Sequence, residues 1–236
     1  MINDEIAEFL AKAGVDPTSV ARDITVRRAI SGEPLPYRGD RPILSTKDPR
    51  GAARRRATRA TRGTDTALAV FGDPFLYFAE AALIANPSRH ILLIEPDAEM
   101  IATAARARDL SFAARAPGFR VASGPAWTAR AIADPETDYA LAFGSAPDAQ
   151  IRSVVREFLD ARRMAMTNRA TEGAFLPLWY RNVMRNMSMS GGAGDAASFE
   201  NRAAHQVAVI AGAGPSLTRA LAAIRAARQG LFLVAT

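Results

Sequence analysis

Residues 207–236 read VAVIAGAGPSLTRALAAIRAARQGLFLVAT, and their pattern sets the fold class. Val207 to Ala211 form an unbroken apolar run, as in a strand covered on both faces. Gly212, Ala213 and Gly214 break it, and Pro215 falls where a helix would begin, a position that tolerates its missing N–H. Leu217, Leu221 and Ile224 then recur at i, i+4 and i+7, giving one apolar stripe that ends at Gln229-Gly230. Leu231 to Ala235 is a second apolar strand. The spacing predicts a βαβ unit with a glycine turn at the carboxyl end of its first strand. A helix start exposes unpaired N–H groups at the positive end of its dipole, and preceding glycines let a phosphate approach. Gly212, Gly214, Pro215 and Ser216 are therefore candidate ligand-binding residues. The turn lacks the third glycine of the dinucleotide fingerprint and the lysine of a P-loop, so it supports neither of those sites. A plain strand-to-helix connection is the competing reading.

Upstream, strands and helices alternate in the same way. Ala67 to Phe71 is a strand ending at Gly72-Asp73-Pro74, followed by a helix carrying Leu76, Ala79, Leu83 and Ile84. His90 to Ile94 is the next strand, ending in Glu95-Pro96-Asp97, and a helix spans about Ala98 to Leu110. Phe119 to Ala122 and Tyr139 to Phe143 are further strands, separated by a short helix around Trp127, and a helix covers Asp148 to Leu159. This order calls for a doubly wound parallel sheet flanked by helices, an α/β Rossmann-like fold. Ligands of such sheets sit beyond the carboxyl ends of the strands, which makes Gly72 and Glu95 candidates. An acidic residue after the second strand can accept both hydroxyls of a ribose; Glu95 and Asp97 can equally cap the helix that follows. Asp73 in the first turn would repel a phosphate.

The N-terminal part is less regular. Asp4 to Ala13 is a short amphipathic helix stopped by Gly14, and Asp16-Pro17 starts another that carries Val20, Ile24 and Val26. Four prolines between Gly32 and Pro49 limit that stretch to a small hairpin or irregular pieces at 35–37 and 43–45. An arginine-rich helix follows, from Pro49 to about Thr61. Residues 171–190 form a helical connector with Phe175, Leu178, Trp179, Val183 and Met184 on one side; Phe175, Trp179, Met187 and Met189 could form a binding surface, but the helical spacing reads as buried packing. The run SGGAGD at 190–195 is a flexible break. Expected divisions are an extension over 1–62, a Rossmann-like domain over 63–165, the connector over 166–203, and the start of a second α/β domain over 204–236.

Composition narrows the chemistry. The chain has no cysteine and only two histidines, His90 and His205, which excludes disulfides, thiol nucleophiles and cysteine-ligated metals and argues against a histidine cluster. No residues are arranged as a nucleophile set, so catalytic residues are not assigned. The net charge is +6, yet 28 of the 30 basic residues are arginine, a bias that a GC-rich genome produces as readily as a phosphate-binding surface does. Arg50, Arg54, Arg55, Arg56, Arg59 and Arg62 form the one dense basic run, without interleaved aromatics for base stacking. It reads as a solvated helix face, then as a contact for an acidic partner, rather than as a nucleic-acid site. The N-terminus lacks a signal core and no apolar run would span a bilayer, so a cytoplasmic location without membrane insertion is expected.

Several segments together resemble one family. Phe71-Gly72-Asp73-Pro74 with Leu92 to Asp97 is similar to the N-terminal domain of the motility-associated factor glycosyltransferases, and Pro36 to Asp40 with Leu44-Ser45 and Pro49 to its early hairpin. Asn182-Val183 and Asn186 resemble its connector, and Ala211 to Leu217 its glycine-proline-serine-leucine signature. The resemblance implies transfer of a nonulosonic, sialic-acid-like sugar from a CMP-activated donor to Ser or Thr of flagellin, with Gly212, Gly214 and Ser216 lining the donor site. No covalently bound cofactor is implied; flagellin and the nucleotide-sugar are the implied partners, and a second copy of the chain is a further candidate because a lone βαβ unit cannot bury both faces of its sheet. The signature domain also resembles an archaeal 6-hydroxymethylpterin diphosphokinase. Two features depart from the family: Gly72-Asp73-Pro74 replaces its glycine-rich loop, and the sequence ends at Thr236, directly after the second strand of the central domain, so no turnover is expected of this chain. The alternatives are a non-catalytic flagellin- or partner-binding module, and a methyltransferase-like nucleoside-cofactor enzyme using Glu95.

Overall fold

Short apolar runs that cannot satisfy water on either face fold together as buried strands. The computed structural model describes residues 2, 4–19, 23–63, 65–189, 200–201, 204, 207–211, 215–227 and 231–235, which fall into two compact units, Met1–Gly173 and Ala174–Thr236.

The first unit opens with α1 (Asp4–Ala13), whose Ile6, Leu10 and Ala13 are buried at helical spacing. The helix expected after Asp16-Pro17 is not formed among the described residues: residues 17–18 are a turn, and Ile24–Arg28 is a strand, β1. Only Ile24 of β1 is buried, so the strand follows its partner rather than its own pattern. β1 pairs antiparallel with β2 (Pro34–Arg38), which turns through Gly39-Asp40 into β3 (Arg41–Pro42). The proline-rich hairpin is thus part of a three-stranded sheet.

The arginine-rich helix α2 (Pro49–Ala60) is capped by Asp48, whose Oδ1 accepts from Gly51 N–H at 2.7 Å, and Ala53 and Ala57 bury one stripe as it packs along the next helix. Arg50 and Arg56 flank that stripe. Arg50 binds Glu33 and Glu80 at 2.8 and 2.9 Å, and Arg56 donates to the Gly144 carbonyl at 2.6 Å. Arg54, Arg55, Arg59 and Arg62 face solvent with no acidic partner among the described residues.

A four-stranded parallel sheet follows in the order β6-β5-β4-β7, built from β4 (Ala67–Phe71), β5 (Ile91–Glu95), β6 (Phe119–Ser123) and β7 (Tyr139–Phe143). Helices α3 (Tyr77–Ala85), α4 (Ala98–Ala107), α5 (Ser111–Arg115) and α6 (Trp127–Ala131) connect them. Alternate residues of the strands enter two cores. Leu68, Val70, Leu93 and Val121 meet α1 to α5, and Ala69, Phe71, Leu92, Ile94 and Ala122 meet Trp127, Ala131 and Phe158. The doubly wound α/β reading therefore holds. The N-terminal elements share the first of these cores, through Ile6, Leu10, Ile24, Ala53 and Ala57.

The helix expected over 148–159 is much longer. It is α7 (Ala149–Met189), passing through Pro177 and on through the expected connector. Its Phe175, Trp179, Val183, Met184 and Met187 are exposed, from 47 to 65% of their surface, which reverses the buried packing expected of them. Phe175 and Trp179 stack on each other, with ring centroids 6.2 Å apart.

The second unit contains the βαβ segment. β8 (Val207–Ala211) and β9 (Leu231–Ala235) pair in parallel, and α8 (Pro215–Ala226) lies between them in sequence and begins at Pro215, as the spacing requires. Val207 and Ile210 are 65 and 74% exposed. The SGGAGD break, His205 and the turn residues Gly212, Ala213 and Gly214 lie outside the described residues. No helix among the described residues is long and apolar enough to cross a membrane.

Candidate functional site

In the order β6-β5-β4-β7 the chain runs outward from β4 through β5 to β6, then returns to the other side of β4 as β7. The loops after β4 and β7 leave the sheet in opposite directions, and the gap between them is where α/β sheets bind ligands. A cavity of about 350 Å³ opens there. Gly72 and Pro74 line it from the first loop, Glu95 and Pro96 from the second, Ser145, Asp148 and Gln150 from the last, and Arg38 and Arg41 from the antiparallel sheet. Its volume lies at the lower end of the range for small-molecule sites.

The first loop is tightly constrained. Gly72 has φ +64°, and a Cβ there would lie 2.5 Å from Ile151 Cδ1 and 2.6 Å from Ser145 Oγ. Gly144 presses against the same loop: a Cβ there would lie 2.5 Å from that of Asp73. The chain then turns back through Leu76, buried and left-handed at φ 58°. This turn carries the Asp73 carboxylate over the start of α3, where Oδ1 accepts from Phe78 N–H at 3.1 Å and Oδ2 from Ala79 N–H at 2.9 Å. The donors that would cradle a phosphate are occupied by the protein's own carboxylate. Burial pushes Asp73 up to about 6, overcoming the opposing pull of those amides and of Arg108.

Glu95 ends β5 beside that turn. It does not cap α4: Asp97 does, accepting from Met100 N–H at 3.1 Å. Glu95 Oε1 accepts from Asp97 N–H at 3.2 Å, and Oε2 has no hydrogen-bond partner among the described residues. Its side chain keeps partial solvent contact, but desolvation, with repulsion from Asp97 and Asp73, still pushes the carboxyl up to about 7. Arg38 crosses from β2 to hold the rim, with Nη2 3.0 Å from Asp97 Oδ2 and Nε 3.1 Å from Asp23 Oδ2.

Of the residues selected from sequence, Gly72 and Glu95 come together in this cavity. Pro215 starts α8; Gly212 and Gly214 lie outside the described residues, as does the Ser216 side chain. Arg38, Arg41, Ser145 and Gln150 were not selected. Isolated polar residues on loops carry no periodic signal, and only the return of the sheet at β7 brings them together. The described residues contain no group of three side chains suited to holding a metal ion. No family model, curated protein or solved structure matches the chain.

Proposed function

We propose that residues 1–173 form a nucleoside-binding domain in which the Glu95 carboxylate accepts both hydroxyls of a ribose. The observation that carries this reading is the Oε2 atom of Glu95. It is an acceptor without a partner among the described residues, at the end of β5 and lining the cavity at the point where the sheet order reverses. Apolar groups from Phe71, Ile94, Met100, Ile151 and Val154 line the same cavity and supply a surface for a base. Because Asp73 fills the start of α3, a pyrophosphate would meet a carboxylate there, which favours a nucleoside or S-adenosylmethionine-like ligand over a dinucleotide.

Calorimetric titration of the whole chain with S-adenosylmethionine, adenosine, cytidine and CMP tests the proposal. At least one should bind, and Glu95→Gln should weaken it about tenfold or more, since a neutral amide cannot accept two hydroxyls as a carboxylate does. Equal affinity in the variant would reject the site.

A second reading follows from the second unit, where a parallel β8-α8-β9 segment with Pro215 as the first helical residue is what the family resemblance implies for a CMP-sugar donor site. Under it the whole protein is a flagellin-directed glycosyltransferase. The same titration separates the two: CMP binding lost in Gly214→Val and Ser216→Ala but intact in Glu95→Gln belongs to the second reading.

A further inference from the structure

Most polar groups around the cavity already have partners within the protein. Arg38 is held by Asp23 and Asp97, and its Nη1 lies 3.5 Å from Gln150 Oε1. Asp97 caps α4, and Asp148 caps the start of α7, with Oδ1 accepting from Ile151 N–H at 2.8 Å. Asp73 is bound to the α3 amides. Among the described residues, the lining groups that keep unused capacity are Glu95 Oε2, Asp148 Oδ2, the Gln150 side-chain nitrogen, the Ser145 hydroxyl and the Arg41 guanidinium, and of these Arg41 alone is cationic.

Arg41 is the unexpected member of that set. It stands directly across the β2–β3 ladder from Arg38, and like charges at opposed positions repel. Arg38 is neutralised by two carboxylates, while Arg41 has no acidic partner among the described residues. Arg41 is exposed at the rim and, with Glu95 and Asp148 also in the lining, is the cation of this cavity that no ion pair engages, so it can meet one anionic group on a ligand. The usual place for that group, the helix start after the first strand, is closed by Asp73.

We infer that the ligand is a nucleoside bearing one anionic group at its 5′ end, and that Arg41 holds that group. The inference rests on the ribose reading of Glu95: a diol on the carboxylate and an anion on the guanidinium are the two ends of one molecule. It makes Arg41 a specificity residue, separating 5′-monophosphates or 5′-linked carboxylates from neutral nucleosides.

The test is titration of the four common ribonucleosides and their 5′-monophosphates against the wild-type chain, Arg41→Gln and Arg41→Lys, in low-salt buffer. The wild type is expected to bind one monophosphate about tenfold more tightly than its nucleoside. Arg41→Gln should abolish that preference and leave nucleoside affinity unchanged, and Arg41→Lys should retain part of it. A preference that survives in Arg41→Gln, or no preference in the wild type while nucleosides bind, overturns the role of Arg41 alone. If neither nucleosides nor monophosphates bind, the Glu95 reading falls and this inference with it.

Discussion

β4 and β8 are both five-residue, wholly apolar strands, Ala67-Leu-Ala-Val-Phe71 and Val207-Ala-Val-Ile-Ala211, yet their surroundings are opposite. Leu68, Ala69, Val70 and Phe71 are fully buried, with parallel neighbours on both sides and helices on both faces. β8 has β9 as its one strand neighbour among the described residues, and Val207 and Ile210 stay exposed. An apolar run declares that a strand wants covering; the elements packed around it decide what the run contributes. Two strands and a helix cannot cover a sheet on both faces.

Truncation in the core should show the largest contrast. Phe71→Ala removes a side chain whose ring lies 5.6 Å from Phe158 and 6.1 Å from Phe143, and should cost about 3–5 kcal/mol in urea unfolding. Ile210→Ala, at a 74% exposed position, should cost about 0.5 kcal/mol or less. Similar losses at the two sites would break the comparison and show that β8 is covered.

Next in size is the contrast between the two helix starts that follow these strands. Asp73→Ala leaves two buried amides of α3 without an acceptor and should cost about 2 kcal/mol. Pro215 provides no N–H to satisfy, so Pro215→Ala should cost well under about 1 kcal/mol. Thermal melts of both variants check the ordering.

A smaller effect follows from Glu95. Its carboxyl is raised from 4.5 to about 7, so the folded chain keeps a proton that the unfolded chain has already released. That stability is fully present below about pH 4.5 and is lost as the pH rises through about 7. Glu95→Gln should match the wild type near pH 4. At pH 8 it should exceed it by about 1–2 kcal/mol, less than the full shift would give because the side chain keeps some solvent contact. A variant less stable than the wild type at pH 8 would mean that the ionised carboxylate supports the fold.

The sheet was legible because its strands are short, apolar and spaced by helices, and β4 and β7 fall on the expected residues. β1 was not: Val20 and Ile24 at i, i+4 read as helical, while its strand pairing depends on a partner ten residues on. The repulsion between Asp73 and a phosphate could be read from the sequence, but not that the carboxylate sits on α3 itself. That geometry needs Leu76 at positive φ, which no propensity favours for leucine. Glu95 was legible as a candidate by its place after the second strand, whereas separating it from a helix cap required Asp97 to be seen capping α4 in its stead. Phe175 and Trp179 show the limit of periodicity, which marks an apolar stripe and not what covers it.

The central claim is that Glu95 grips a ribose, and the most direct measurement compares a ribonucleoside ligand with its 2′,3′-dideoxy analogue by calorimetry at pH 8 and at pH 6. The ribonucleoside should bind at least tenfold more tightly at pH 8, where the carboxylate is ionised, and that margin should shrink at pH 6 as it takes up its proton. Equal affinity of the two ligands at both pH values would contradict it.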